Sequence, residues 1–438
     1  MTHTAAIAQE PAIKLAKVSI GLIALALFVG TAAKVVLSPL QELVRVDLGI
    51  SDNQMGLIQG LALAIPLALF SIPLGRLIDR ANRSRLLIGM ALCCAAGSAL
   101  TAFAQDFATM FAARMLVGAA VSGAAIAAVS LGADLSDAAG RGRVMMLIGL
   151  GQVFGSAATF SVVGGLLGSL PPALAAAFPD AYSAANLAPW RLVQLAFAAV
   201  MFIAAALLFL LREPQRREMG SAAGKNIGAA LSELWACRGL MIPLLLGMMT
   251  IGMADAAASI WAVPVLTRSL HQQPADFGGW MSLVFLFSGI AGTAIGGLLS
   301  DAGQKLAGRG GILLGAVLGA ALSIPSALFP MMPSVPLFAA LFFLLLMSGA
   351  CASIASTAAI AVLVPNELRG VCISIFSSVA LLASYGVAPT LVTLAAQAMG
   401  LGTDIGLPLS IVGVAASVIG AVAFAVAMRV AKTQPLMG

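Results

Sequence analysis

Stretches of about 20 consecutive apolar residues recur along the whole 438-residue chain, separated by short polar breaks. A helix of about 20 residues crosses the roughly 30 Å hydrocarbon core of a bilayer. Hydrophobic residues make up 61% of the chain and charged residues only 9%, whereas soluble domains carry charge on about a quarter of their residues. The chain is therefore predicted to be an all-α membrane protein.

Twelve spans are predicted, six before and six after a polar segment at residues 212–239. Their approximate bounds are 18–39, 54–74, 86–104, 108–131, 144–169, 190–211, 240–267, 277–300, 311–330, 335–362, 371–398 and 406–429. The fold prediction is two pseudo-symmetric six-helix bundles, an N-terminal one at 1–211 and a C-terminal one at 240–438, joined by a cytoplasmic linker at 212–239.

Lysine and arginine residues predict the orientation. With both termini on one side, 18 of the 23 Lys and Arg residues lie on that side, and the opposite loops carry seven acidic residues. By the positive-inside rule the basic side is the cytoplasm, here of a bacterial-type inner membrane. These loops account for the net charge of +6, so no nucleic-acid partner is expected.

One cytoplasmic loop, Gly75-Arg76-Leu77-Ile78-Asp79-Arg80-Ala81-Asn82-Arg83-Ser84-Arg85, resembles the signature that the major facilitator superfamily carries between spans 2 and 3. A shorter echo places Asp301 222 residues after Asp79. Within that superfamily the chain is most similar to the spinster-like branch, which includes lysophospholipid and sphingosine-phosphate transporters. The similar segments are 47–54, 72–76, Ala133-Asp134 with Arg141-Gly142-Arg143, and Arg212-Glu213-Pro214.

The chain departs from that branch at two positions. Ala33-Lys34 stands where the branch usually has an Asp-Arg pair in span 1, and Val121 stands where it usually has a glutamate in span 4. The proton coupling and the lipid substrate that the resemblance implies therefore do not transfer directly to this chain.

Two lone charges inside spans are the main candidates for substrate binding and proton coupling. Asp255 is the one acid of seventeen placed deep in a predicted span, and Lys34 lies at a matching depth in span 1, 221 residues earlier. A charged side chain in the hydrocarbon core must face a cavity, pair with an opposite charge or, if it is a carboxylate, bind a proton. In a pseudo-two-fold arrangement the two are expected to approach across a central cavity, either as a coupling switch or as a static salt bridge.

Other polar residues are assigned narrower roles. Arg114 in span 4 resembles an arginine that many superfamily members use near a proton or substrate path; the alternative is a side chain that snorkels or bonds helix carbonyls. Candidate cavity-lining residues are Gln59, Gln152, Trp261, Ser374, Ser377, Ser378 and Tyr385. A cytoplasmic gate is expected from Gly75, Asp79, Arg80, Arg83, Arg85, Asp134, Arg141, Arg143, Asp301 and Lys305; charges retained only for topology are the alternative.

The sequence contains no GxxxxGK[ST] phosphate loop, HExxH motif or CxxC motif, so no enzyme activity, cofactor or metal is expected. The functional prediction is a monomeric secondary active transporter, driven by a gradient and coupled to protons, that moves a small anionic or amphiphilic organic solute. Two alternatives remain open: a lipid transporter of the spinster kind, and a non-transporting membrane sensor.

Overall fold

The structure, a computed structural model, describes residues 2–136, 141–180, 187–214 and 227–433. Every regular element in these ranges is helical. The α-helices are α1 (Thr2–Val35), α2 (Gln41–Asp47), α3 (Asp52–Gln59), α4 (Leu61–Arg80), α5 (Arg83–Phe103), α6 (Phe107–Asp134), α7 (Arg141–Ala177), α8 (Pro189–Leu207), α9 (Ile227–Ala236), α10 (Arg238–Arg268), α11 (Pro274–Ala307), α12 (Leu314–Ser326), α13 (Val335–Leu363), α14 (Asn366–Leu381), α15 (Ala388–Ala398) and α16 (Gly406–Thr433).

Short helices of other kinds extend or connect these elements. They are the 3₁₀ segments Leu208–Leu210, Arg309–Leu313 and Phe329–Met331, and a π-helical turn at Leu382–Val387 between α14 and α15.

Eleven helical stretches within the described ranges are long and apolar enough to cross a membrane. Each coincides with one predicted span. Predicted span 2, at about 54–74, is occupied by α3 and α4, which are separated by a break at Gly60. The all-α, multi-pass membrane fold is confirmed.

Several helices begin where the sequence supplies a capping residue. Ser51 caps α3 through its hydroxyl and shares a reciprocal capping box with Gln54. Asn82 accepts the Arg85 N–H at the start of α5, and Asp106 accepts the Thr109 N–H at the start of α6. These polar caps define the residue at which each helix begins, and so they define where the preceding loop ends.

Packing divides the chain into two compact units, with unit 1 comprising Met1–Leu48 and Ile65–Gly220, and unit 2 comprising Gly49–Ala64 and Ser221–Gly438. In unit 1, Ile23, Leu87, Ala127 and Leu131 belong to a buried core built by α1, α5 and α6. In unit 2, α10, α12, α13 and α16 supply a second core. Residues 49–64 thus pack with unit 2 although they precede the predicted linker; the bundle boundaries at 211 and 240 stay a prediction, and most of the linker lies outside the described residues.

Candidate transport site and its gates

Lys34 lies at a break in span 1. It occupies the last turn of α1, is half-buried, and is followed by turns at residues 36–40 before α2 begins. In these turns the Ser38 N–H donates to the Val35 carbonyl at 2.8 Å instead of continuing the i to i−4 ladder. Lys34 thus lies at the end of the membrane-crossing stretch Lys17–Val35, and its role in binding or coupling stays a prediction.

Arg114 on α6 holds this break in place. Its side chain is fully buried, and its two terminal nitrogens donate to the carbonyls of Ala33 at 2.8 Å and Lys34 at 2.5 Å. The last carbonyls of a helix have no helical partner, so Arg114 acts as a cap for α1. It thereby fixes the backbone that carries Lys34. This geometry matches the carbonyl-bonding alternative, and a part for Arg114 in coupling stays a prediction.

Asp255 lies near the middle of α10 in unit 2 and is half-buried between the buried Ala254 and Ala256. One turn earlier, Gly252 faces Ser384, whose hydroxyl donates to the Ala380 carbonyl at 2.6 Å. Ser384 belongs to the π-helical turn Leu382–Val387. Such turns are frequent at functional sites, and this one packs against the helix that carries Asp255.

The two lone charges belong to different units, Lys34 to unit 1 and Asp255 to unit 2. Their approach across a central cavity stays a prediction.

Arg83, Asp134 and Glu213 form an ion-pair network in unit 1, called here the inner network because the predicted orientation places it on the cytoplasmic side. Arg83 pairs through one terminal nitrogen with Asp134 at the end of α6, and through Nε with Glu213 at 3.0 Å. Its other terminal nitrogen donates to the Pro214 carbonyl at 3.3 Å. Only 5% of the Arg83 side chain and 7% of the Asp134 side chain are exposed. The network therefore ties α5, α6 and the chain after α8 together inside one unit.

Glu213 is held in its charged form. Burial by itself would raise the pKa of this carboxyl, but the Ser84 N–H, which donates at 2.7 Å, and the Arg83 guanidinium together lower the pKa below its usual value. The carboxylate also lies near the start of α5, where a helix N-terminus favours negative charge.

The other predicted gate residues are distributed differently. Arg80, Arg85, Arg143, Asp301 and Lys305 are exposed, and Arg141 is half-buried. Gly75 and Asp79 lie within α4, but their side chains are outside the described set. Of the predicted gate, the structure thus brings together Arg83 and Asp134, and it does so within unit 1; a latch between the two bundles stays a prediction.

A second ion pair joins the segment 49–64 to the rest of unit 2. Asp52 accepts two hydrogen bonds from Arg268 at the end of α10, at 2.6 and 2.8 Å, and Arg268 also donates to the Thr403 carbonyl at 2.8 Å. Next to it, the Thr393 hydroxyl bonds the Asn53 amide oxygen at 3.0 Å. We call the Asp52–Arg268 pair the outer clasp, since the predicted orientation places it on the outer side.

Beneath the outer clasp, α3 packs closely on α10 and α15. The buried Trp261 donates its indole N–H to the Pro389 carbonyl at 3.2 Å, and a side chain at Gly56 would meet this indole ring at 3.2 Å. At Gly60 a Cβ would overlap the Tyr385 carbonyl oxygen. Only glycine permits an approach this close, and it lies at the break between α3 and α4.

The predicted lining residues occupy varied environments. Gln59 and Trp261 are buried, Ser378 and Tyr385 are half-buried, and Gln152, Ser374 and Ser377 are exposed. Their contribution to a substrate cavity stays a prediction. No three His, Cys, Asp or Glu side chains in the described part of the chain lie close enough to hold a metal ion.

Several residues of these clusters were not among the predicted site residues. Glu213 was visible only as part of the Arg-Glu-Pro segment after span 6, and Arg268 as one of the few basic residues at the outer end of a span. Asp47, read only as a loop acid, accepts hydrogen bonds from Trp190 and Arg191 at 3.0 Å in unit 1. In each case a charge at a span end marks a candidate, but its partner is more than 120 residues away in sequence.

A family model matches most of the chain. The model of the Major Facilitator Superfamily aligns with residues 22–384. The chain belongs to the Major Facilitator Superfamily. The family predicted from the loop signature is confirmed.

Solved structures support the same fold for this superfamily member. A bacterial homologue of the human lysosomal transporter Spinster matches with a TM-score of 0.79 in its unoccupied inward-facing form, over 96% of this chain and 97% of that chain at 17% identity. Its occupied form matches with a TM-score of 0.78 over 95% and 96% at 19% identity. The nucleoside transporter NupG matches with a TM-score of 0.71 over 94% and 99% at 13% identity. The predicted likeness to the spinster-like branch thus holds at the level of the fold.

A curated relative matches part of the sequence. A triacylglyceride transporter of Mycobacteroides abscessus is 28% identical over 282 residues, which cover 61% of this chain and 49% of the relative. The chain therefore spans about half the length of that relative.

Proposed function

We propose that this superfamily member is a proton-coupled secondary transporter that moves a small anionic or amphiphilic organic solute across the bacterial inner membrane by alternating access. The observation that carries the proposal is the presence of one charged residue in each of two predicted spans, Lys34 in the last turn of α1 and Asp255 near the middle of α10. Both termini would lie in the cytoplasm, the protein would act as a monomer without a cofactor, and it would catalyse no covalent chemistry.

The charges suggest how substrate and proton are linked. Lys34 offers a positive charge within an apolar span, which suits the anionic group of a solute, while Asp255 can bind and release a proton. A carboxylate that is costly when ionised is stabilised by a nearby cation and protonated when that cation is taken by another anion. Arrival of an anionic solute at Lys34 would thus favour protonation of Asp255, so both would move together.

The outer clasp provides a place where access could change. Because residues 49–64 lie between two segments of unit 1 in sequence yet pack with unit 2, release of Asp52 from Arg268 would let them separate from unit 2. We propose that this release accompanies opening toward the outside, and that the inner network stays intact within unit 1.

Lipid transport is the second candidate. It is favoured by the relative named as a triacylglyceride transporter and by the Spinster-type fold. A single-chain anionic lipid would satisfy both candidates, because it joins a charged head to a long apolar tail.

The test is transport by the purified protein in vesicles. Lysophosphatidylglycerol, trioleoylglycerol and uridine, each radiolabelled, are offered under imposed pH and sodium gradients. We expect lysophosphatidylglycerol to accumulate with the pH gradient, and expect Asp255→Asn and Lys34→Ala each to reduce this accumulation at least about fivefold. Lys17→Ala on the same helix and the exposed Asp180→Asn are matched controls that should transport normally.

Two results would contradict the proposal. If both site variants transport at the wild-type rate with the wild-type pH response, the two charges are structural. If trioleoylglycerol alone is carried and no gradient affects it, the lipid candidate replaces the anionic solute and proton coupling is rejected.

A further inference from the structure

Gly349 on α13 borders the Asp255 carboxylate in unit 2. A Cβ atom built on Gly349 would lie 2.9 Å from Oδ1, 3.2 Å from Cγ and 3.4 Å from Cβ of Asp255, and these are its three nearest neighbours. Carbon and oxygen atoms that are not bonded to each other rarely approach to 2.9 Å, because optimal contacts between heavy atoms lie near 3.5 Å. The missing side chain of Gly349 therefore leaves the space that this carboxylate occupies.

Helix α13 cannot retreat from Asp255 at this level. On the side facing α11, a Cβ at Gly296 would lie 2.7 Å from the Cys351 carbonyl oxygen. On the side facing α12, a Cβ at Gly319 would lie 2.9 Å from the Ser348 carbonyl oxygen. Because an α-helix turns by about 100° per residue, Cys351 lies on nearly the opposite face of α13 from Gly349. The helix thus has one close neighbour, α11, nearly opposite the glycine and a second, α12, on an adjoining side.

A side chain at position 349 would consequently move the carboxylate and leave the helix in place. The first atom it meets is the end of a short side chain whose last torsion is broad, so the carboxylate can turn by a few tenths of an ångström at little cost. An alanine there would preserve the fold and change the direction in which the carboxylate points.

We propose that Gly349 is a positioning residue for Asp255, and that the space it leaves orients the carboxylate for proton coupling to the solute. The inference rests on the proposed function, since it assigns Asp255 the coupling role. It adds a second helix, α13, to the site and gives a role to the glycine at the middle of that helix.

The orientation is tested without any substrate by solid-state NMR. The chain contains 11 aspartates, so labelling aspartate Cγ with carbon-13 gives few carboxyl signals, and the one missing in Asp255→Asn belongs to Asp255. We expect Gly349→Ala to shift this signal. Gly279→Ala on α11, where a Cβ would meet nothing within 4 Å, should leave it unmoved. An unmoved Asp255 signal in Gly349→Ala overturns the proposal.

The coupling role is tested by combining variants in vesicles with lysophosphatidylglycerol and an imposed pH gradient. We expect Gly349→Ala to lower accumulation at least about fivefold in the wild-type background and to have no further effect in the Asp255→Asn background. An equal loss in both backgrounds would show a packing role and overturn the proposal. If Asp255→Asn leaves accumulation unchanged while Gly349→Ala shifts the Asp255 NMR signal, the proposed function is rejected and the positioning of Asp255 by Gly349 is retained.

A folding defect would also be informative. If Gly349→Ala does not fold, the double variant with Asp255→Ala removes the atoms that the new Cβ would meet most closely, and it should restore folding. Continued misfolding of the double variant would assign Gly349 to helix packing and reject the proposal.

Discussion

The inner network and the outer clasp each centre on a single arginine, Arg83 and Arg268 respectively. The two arginines differ in their exposure and in the number of carboxylates that they bind. Arg83 of the inner network is 5% exposed and serves two carboxylates and a carbonyl. Arg268 of the outer clasp is 17% exposed and pairs with one carboxylate that is 13% exposed. A buried charge that loses its partner is strongly destabilising, whereas a pair near water is replaced by hydration. The comparison suggests a permanent joint in unit 1 and a releasable contact in unit 2.

Asp134→Asn should have the largest effect on stability. It leaves the buried Arg83 guanidinium with Glu213 as its remaining carboxylate partner, and weakening a buried hydrogen bond between charged groups typically costs about 1.5–3 kcal/mol. The measurement is thermal unfolding of the purified protein, with the exposed Asp180→Asn as control. A loss no greater than that of the control would remove the distinction between the two sites.

Gly60→Ala should have the next largest effect on stability. It acts on residues 49–64 through a steric clash alone. Its Cβ would overlap the Tyr385 carbonyl oxygen, which belongs to the backbone and cannot rotate away. Overpacking of this kind costs about 1–3 kcal/mol. The unfolding temperature should fall, while Gly89→Ala, where a Cβ meets nothing within 4 Å, should not change it. An unchanged temperature would mean that α3 is only loosely held.

Glu213→Gln should have a smaller and pH-dependent effect. The lowered pKa of Glu213 stabilises the fold above the usual value of 4.5, and this contribution is lost as the pH falls below 4.5 through the folded-state pKa. At neutral pH the variant should lose about 1–2 kcal/mol from weakened bonds to Arg83 and Ser84.

The free energy of unfolding of the wild type and of Glu213→Gln should be compared from about pH 3 to about pH 7, a range that includes the usual glutamate pKa. The wild type and the variant should converge at the acid end. A difference that stays constant over this range would show that the charge of Glu213 contributes nothing.

Asp52→Asn should affect stability less than Asp134→Asn, because the Asp52–Arg268 pair is more exposed than the Asp134–Arg83 pair. Its effect on lysophosphatidylglycerol accumulation should be larger than its effect on unfolding, since it weakens a contact that we propose opens and closes. Arg268→Lys, which keeps the charge but loses the two-pronged geometry, should lie between the variant and the wild type. Normal transport by both variants would restrict the outer clasp to a structural role.

Local sequence signals predicted the spans well because each rests on a run of residues. Eleven predicted spans coincide with helical stretches, because an apolar segment in the hydrocarbon core must form its backbone hydrogen bonds internally. The spans predicted at 240–267 and 335–362 match α10 and α13 to within two residues. In contrast, α7 and α11 run eight and seven residues past the predicted span ends at 169 and 300. The exception is span 2, where the apolar run gave no sign that α3 and α4 would separate. At that break the Tyr385 backbone approaches Gly60 closely, although the two residues are more than 300 positions apart in sequence.

The candidate site was only partly predictable. Lys34 and Asp255 stood out because an isolated charge in an apolar run is conspicuous. Arg114 also stood out, but its carbonyl partners did not, because hydrogen bonds to the backbone leave no trace in side-chain identity. Glu213 and Arg268 looked like ordinary charges at span ends until their partners were known.

By itself the sequence determined the family, the positions of the apolar spans and the presence of two charged residues within them, and it predicted the orientation. These follow from composition and from patterns a few residues long, because each segment partitions between lipid and water according to its own residues. Tertiary structure decided which arginine meets which carboxylate, that residues 49–64 pack with unit 2, and that Gly349 leaves room for Asp255. Such contacts join residues far apart in the chain, so they depend on the packing of whole helices and not on any local pattern.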